Sequence, residues 1–406
     1  MLSRIVGPSV ALSLLVSSCR PSDFDHPGRW REDAAMEATP DAAVPVPEAG
    51  APSSDGGCAE APRGGRPLVV RSGPVAIARL TNPSGVVTRL PGPSFLVDGR
   101  RVWTFTTTRP VAPLSVDVPG NLPSSALTAD DRPWIRPLPP HGTEAPAWAL
   151  GEILAPGGTP RPFLRLRAGE GPGVNLAVTS QVAAGGDDAQ ALLYVQANVG
   201  LGEPNAVWLA RLDAPGDEAV RDASPLFVPP DPMFALGALR TAEHVKVYAC
   251  TRTAGTFGAH CVIARAPVDR IADRAAYQVY GRDAAGALTW LSDLTRGEPV
   301  LEDVSEDFSV SWNAHLGRFL SVWSAPLESA LRLSTAPAME GPWSEPVELP
   351  LPASRVYVPL RAREHPGLAQ DCERRIVIAY WSPTAAPDAG SLPNEGDVVL
   401  AAIELE

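Results

Sequence analysis

Few residues in this chain are placed to do chemistry, and most of them are carboxylates. Glu306 and Asp307 stand side by side immediately before the run Phe308-Ser-Val-Ser-Trp312. Acids at the start of a strand can accept hydrogen bonds from a ligand or act as general acid and base if their pKa values are set apart. Read without a ligand, they are two solvated loop acids. Asp98 belongs to Asp98-Gly99, a dipeptide that favours a tight hairpin turn. His365 precedes Pro366 and is either a ligand-contacting imidazole or a hydrogen-bonded loop histidine. Trp312 lies in a strand-like run, where it either packs between layers or offers a ring face to a ligand. No Gly-x-Ser-x-Gly elbow, phosphate loop, GxGxxG or HExxH is present, so serine-hydrolase, nucleotide and zinc-protease chemistries have no support.

The elements that must position these groups are strands. Short β-branched, aromatic and leucine-rich runs recur between Gly, Pro, Asp and Asn. They include 68–71, 94–97, 101–105, 175–178, 191–195, 206–210, 308–312, 318–323, 375–381 and 397–403. This pattern predicts an all-β domain, and the 45 prolines and 35 glycines disfavour long helices. Only 267–276 has the pattern of a helical turn. The runs group into about five units of roughly 60 to 70 residues, an arrangement that favours a β-propeller over a sandwich.

Cysteines and charge bound the setting. Cys250 and Cys261 flank a Gly-containing loop between two strand-like runs, and antiparallel pairing would bring them to bridging distance. Cys58 and Cys372 then remain to pair with each other. There is no CxxC and no histidine cluster, so no metal or other cofactor is expected. The net charge of −12, with Lys246 the single lysine, offers no basic stripe for nucleic acid.

The N-terminus carries Arg4 and an apolar stretch, 5–16, too short for a membrane span of about 20 residues. It has the form of a secretory signal peptide. The end, Leu15-Val-Ser-Ser-Cys19, resembles the bacterial lipobox, which implies cleavage before Cys19 and acylation of that residue. In the sorting rule of Gram-negative lipoproteins, Arg20 in place of Asp directs the chain to the outer membrane. The expected organisation is a signal peptide (1–18), a Pro- and Ala-rich disordered tether (19–65) and a propeller domain (66–406). Contact with the membrane is through the lipid only, and the domain is expected to be a monomer.

One further similarity concerns the domain itself. Phe308–Asn313, Leu316–Leu320, Leu331–Pro337 and Gly341-Pro-Trp-Ser344 resemble a recurring module of five-bladed propeller glycosidase-like proteins. Ser94–Phe105, Cys261–Pro267 and Glu364–Leu368 are similar to one family of that group, long known as a domain of unknown function. Some of its members hydrolyse D-arabinan. The resemblance covers about 67–405 and implies a five-bladed propeller with a glycan as ligand. Hydrolysis would need two opposed carboxyl groups. The family's first blade typically ends Trp-x-Phe-Gly-Asp-Thr, but this chain has Trp103-Thr-Phe-Thr-Thr-Thr108, with Thr107 where the aspartate would stand. The upstream turn, Leu90-Pro-Gly-Pro-Ser94, also lacks an acid. The reading is therefore a glycan-binding propeller with weakened or absent hydrolysis, to which Thr107, Trp312 and His365 contribute contacts. The alternatives are an active hydrolase using Glu306, Asp307 or Asp98, and a propeller that binds protein.

Overall fold

A computed structural model describes residues 62, 64–80, 86–110, 125–130, 147–148, 151–152, 162–170, 174–184, 189–199, 204–254, 256, 258–305, 307–325, 330–351, 361–383 and 396–406. All of them belong to one compact unit, Pro45–Glu406. The other unit, Met1–Val44, lies outside them, as do Cys19, Cys58, Glu306 and the expected signal peptide.

Nearly every described element is a strand. The first six are β1 (Val70–Leu80), β2 (Val86–Val97), β3 (Arg100–Pro110), β4 (Ser125–Asp130), β5 (Ala147–Trp148) and β6 (Gly151–Glu152). A second group follows as β7 (Val174–Ala183), β8 (Ala191–Val199), β9 (Ala206–Leu212) and β10 (Val220–Arg221). The third comprises β11 (Leu236–Arg240), β12 (His244–Arg252), β13 (Ala259–Pro267), β14 (Gln278–Arg282) and β15 (Leu288–Leu291), with β16 (Leu301–Val304) paired to β13. The fourth is β17 (Phe308–Asn313), β18 (Arg318–Ser324), β19 (Ala330–Ala336) and β20 (Val347–Pro350). Strands β21 (Arg363–Glu364), β22 (Arg375–Pro383) and β23 (Gly396–Leu405) complete the chain. Among the described residues there is no α-helix. The expected helical turn forms as two short 3-10 turns, Val268–Arg270 and Arg274–Ala276, and two more occur at Leu294–Arg296 and Pro366–Leu368.

The fold is an all-β propeller. Strand β2 packs against β7, β7 against β11, β11 against β17, β17 against β21 and β21 against β2, which closes a ring. From each ring strand the following strands meander outward as antiparallel neighbours. Hydrophobic clusters fill the wedges between adjacent meanders. One joins Phe95 and Val102 to Leu193 and Val195, the next joins Tyr194 and Val207 to Val247 and Ala264. Others join Ile263 to Phe308 and Trp323, Leu333 to Ile378 and Val399, and Trp103 to Val377 and Leu400. This apolar burial between faces is the main stabilising term.

Among the described residues, hydrogen bonding divides the propeller into four sheets, not the five separate blades expected. A single parallel bridge, Thr88 to Gly396, links the β2–β3–β4–β6 meander to the one built from β21, β22 and β23. The two become one nine-stranded sheet that supplies two of the ring strands. Strand β1 also joins this sheet, antiparallel to β23 from Val70–Leu405 to Leu80–Val398.

The Leu90-Pro-Gly-Pro-Ser94 segment, expected as a turn, lies inside β2. Its register against β3 slips between Leu90 and Pro91 and again before Ser94. Such bulges accommodate prolines that cannot donate to a ladder. A side chain at Gly92 would meet Thr104 at 2.7 Å, and the Thr104 hydroxyl donates to the Pro93 carbonyl at 2.9 Å.

Candidate functional site at the ring centre

The ring strands carry a group of buried polar residues. Ser94 on β2, Thr179 and Ser180 on β7, Ser311 on β17, and Arg363 and Glu364 on β21 are all buried, as is His365 just after β21. The register of β17 explains part of this. Phe308 joins the apolar cluster shared with β11 and β12, while the alternate residues Ser309 and Ser311 meet Glu364. The Ser309 hydroxyl accepts from the Glu364 backbone N–H at 2.7 Å, and the Ser311 hydroxyl donates to the Glu364 carboxyl.

Arg363 dominates the centre. It donates to the Thr179 carbonyl at 3.0 Å. Strands β21 and β7 are not neighbours in the ring, so this guanidinium reaches across the axis. Burial pulls its pKa down to about 10, opposed by the charge of Asp307. Asp307 precedes β17 and pairs with Arg361 at 3.1 Å, and stands 4.0 Å from Arg363. Burial pushes the Glu364 carboxyl up to about 8; the Ser311 hydrogen bond opposes this and Glu373 adds to it. Burial thus favours the protonated form of Glu364. Glu373 is itself raised by burial, and its carboxylate accepts from the Ala314 N–H.

His365 is fully buried. Its Nδ1 lies 2.6 Å from the Ser94 hydroxyl, and its ring packs on Trp103 with centroids 4.5 Å apart. Burial, and then the charges of Arg363 and Arg101, hold its pKa well below the usual histidine value, so the ring is neutral.

The sequence candidates therefore separate. Asp307 and His365 flank ring strands, Asp307 just before β17 and His365 just after β21, where it is fully buried. Asp98 does not join them. It sits exposed four residues beyond Ser94, in the two-residue turn between Val97 and Arg100, with φ +49° followed by +69° at Gly99. Both positive angles fit the primed hairpin turn that Asp-Gly favours. Trp312 packs edge-to-face on Phe319 at 5.1 Å and belongs to the cluster between sheets. Thr107 lies on β3 opposite Leu90. Glu306 is outside the described residues. The Cys250–Cys261 disulfide forms between directly opposed residues of β12 and β13, with Cα atoms 4.0 Å apart. Cys372 is also disulfide-bonded, and its partner lies outside the described residues.

Several central residues are not among the sequence candidates, Arg363, Glu364 and Ser94 being the foremost. Arg361-Ala-Arg363-Glu364-His365 reads as a solvated charged loop, since charged residues are rarely buried. The available signal was the placement of this run just ahead of a strongly apolar strand, Ile376–Trp381.

Comparison with known proteins gives one family match and several distant structural similarities. Residues 217–382 match DUF4185, a domain of unknown function. No curated protein matches the sequence. Among solved structures, the chain is similar to an exo-β-1,3-galactanase from Phanerochaete chrysosporium with β-1,3-galactotriose, at 10% identity and TM-score 0.46. That likeness covers 82% of this chain and 63% of the galactanase, so the chain spans less than two thirds of that enzyme's length. A family 117 glycoside hydrolase from Zobellia galactanivorans is similar at 13% identity and TM-score 0.46, covering 82% of this chain and 89% of that one. A GH43_1 enzyme from Xanthomonas citri is similar at 15% identity and TM-score 0.45, covering 80% of this chain and 90% of that one.

Proposed function

We propose that this chain is a cell-envelope lipoprotein whose propeller binds a polysaccharide or cell-wall glycan, with weakened or absent hydrolysis. The observation that carries the reading is Arg363. A guanidinium spans the ring centre where a hydrolase would oppose two carboxyl groups, one protonated and one ionised. The carboxyls that are present are engaged, Asp307 by Arg361 and Glu364 by Ser311. Thr107, where the resembled family carries an aspartate, supports the same reading, since threonine cannot serve as an anionic base at neutral pH. Charged and hydroxyl groups clustered on the ring strands suit the hydroxyls of a sugar chain.

The test is incubation of the full chain with arabinan, arabinogalactan and other wall polysaccharides, with retention and sugar release measured in parallel. Retention without release is expected, and retention should fall in Asp307→Ala. Sugar release abolished by Asp307→Asn or Glu306→Gln would overturn the binding-only reading.

One observation favours the alternative of an active hydrolase. Glu364 is a buried carboxyl whose pKa is pushed up to about 8, the direction a general acid needs. Release lost in Glu364→Gln would assign it that role.

The lipid anchor on Cys19, with outer-membrane placement, belongs to the same proposal. Several acyl chains on one residue hold a protein stably to a membrane. Cys19→Ser should move the protein from the membrane to the soluble fraction. Retention of the variant in membranes would sink that part.

A further inference from the structure

Around the ring centre, several buried nitrogen atoms have no hydrogen-bond partner among the described residues. They are Nε2 of His365, Nε and Nη2 of Arg363, and Nε1 of Trp103. Buried polar groups are almost always satisfied, and each exception calls for a physical account. Other such atoms, Nε1 of Trp208 and of Trp323 among them, lie elsewhere in the fold, but these four belong to residues that adjoin one another. Arg363 and His365 are two residues apart at β21, Trp103 packs on the His365 ring, and the charges of Arg363 and Arg101 both act on His365.

The atoms also share a sign. Arginine and indole nitrogens can only donate. His365 Nε2 donates as well when the Ser94 hydroxyl gives its proton to Nδ1, and the 2.6 Å contact allows that arrangement. Arg363 Nη2 is 4.0 Å from Asp307 Oδ1, beyond hydrogen-bond reach, and Asp307 makes its closer contact with Arg361. The other nearby carboxyl, Glu364, already takes the Ser311 hydrogen bond.

We propose that the ring centre is a binding site for a small monatomic anion of the halide class, held by His365 Nε2, the Arg363 guanidinium and Trp103 Nε1. The burial of all three residues suits a small anion better than a sugar. Donors only, with one cation among them, select an anion over a metal ion. A bound anion would compensate Arg363 without a second buried carboxylate, and would tie β21 to β3. The site is fully buried and does not depend on the glycan-binding reading.

The test is crystallisation of the full chain in sodium bromide, with anomalous data at the bromine edge. An anomalous peak within hydrogen-bond distance of His365 Nε2 and Arg363 is expected. Data with no such peak, or with peaks only at the surface, would overturn the proposal. In solution, thermal unfolding at constant ionic strength should show a saturable rise of several degrees when chloride or bromide replaces methanesulfonate. Arg363→Lys should lose that rise while Arg71→Ala, an exposed site on β1, keeps it. Equal stability of the unaltered chain in all three salts would equally overturn the proposal, whether or not the lysine variant folds.

Discussion

At the scale of single residues, two neighbours titrate in opposite senses. Glu364 has its folded pKa raised from 4.5 to about 8, so the fold favours the protonated acid. Its contribution is complete below about 4.5 and is lost as pH rises to about 8. His365 has its pKa pushed well below 6.5, so the fold favours the neutral ring. Its contribution is present above about 6.5 and is lost as pH falls. Between about 4.5 and 6.5 the two slopes oppose one another; above that range only Glu364 acts. Glu364→Gln is therefore expected to remove the loss of stability expected of the unaltered chain between about pH 6.5 and 8. Urea unfolding of both proteins at several pH values measures this. Parallel curves for the two would show that Glu364 ionises normally. None of this is legible in the sequence, because a pKa depends on burial and Glu364 gains its burial only when β17 and β21 meet.

At the scale of elements, hairpins were the most legible feature. Asp98-Gly99 carries its own turn chemistry, and Cys250 and Cys261 lie on alternating runs whose pairing can be written out residue by residue. Segment 90–94 was not legible, since Pro-Gly-Pro signals a turn in isolation. A close approach to Thr104 and slips in register let it continue as a strand. The disulfide leads to a prediction at this scale. It closes a loop with a sequence separation of 11 on strands that also pair through β13 to β14 and β16. Replacing both cysteines by serine should cost about 2–3 kcal/mol by loop entropy. The hairpin should still form, because its ladder from His244–Pro267 to Arg252–Ala259 does not require the bond. Thermal unfolding of the Cys250→Ser, Cys261→Ser protein gives the cost, and amide exchange in β12 tests whether the hairpin persists. Loss of protection throughout β12 would mean that the disulfide makes the hairpin rather than secures it.

At the scale of the whole molecule, the decisive contact joins the two ends of the described chain. Repeating runs predicted a propeller, but which strands close it was hidden, because strand pairing hundreds of residues apart leaves no local pattern. The structure makes the closure with β1, whose Ala78 is fully buried opposite Leu400 in the cluster that also holds Trp103 and Val377. Because the wedges depend on their neighbours, a fault at the closure should be felt around the ring. Ala78→Asp would place an unpaired carboxylate in this cluster and should cost roughly 3–5 kcal/mol. Arg71→Ala, on the exposed part of the same strand, should change stability by no more than about 0.5 kcal/mol. If closure is cooperative, Ala78→Asp lowers the midpoint of one transition seen alike by tryptophan fluorescence and by far-ultraviolet circular dichroism. If β1 is only a peripheral strap, it detaches early, and most of the tryptophan signal melts near the unaltered temperature. The first outcome is expected, since Trp103 and Trp381 are buried in the same nine-stranded sheet that β1 completes.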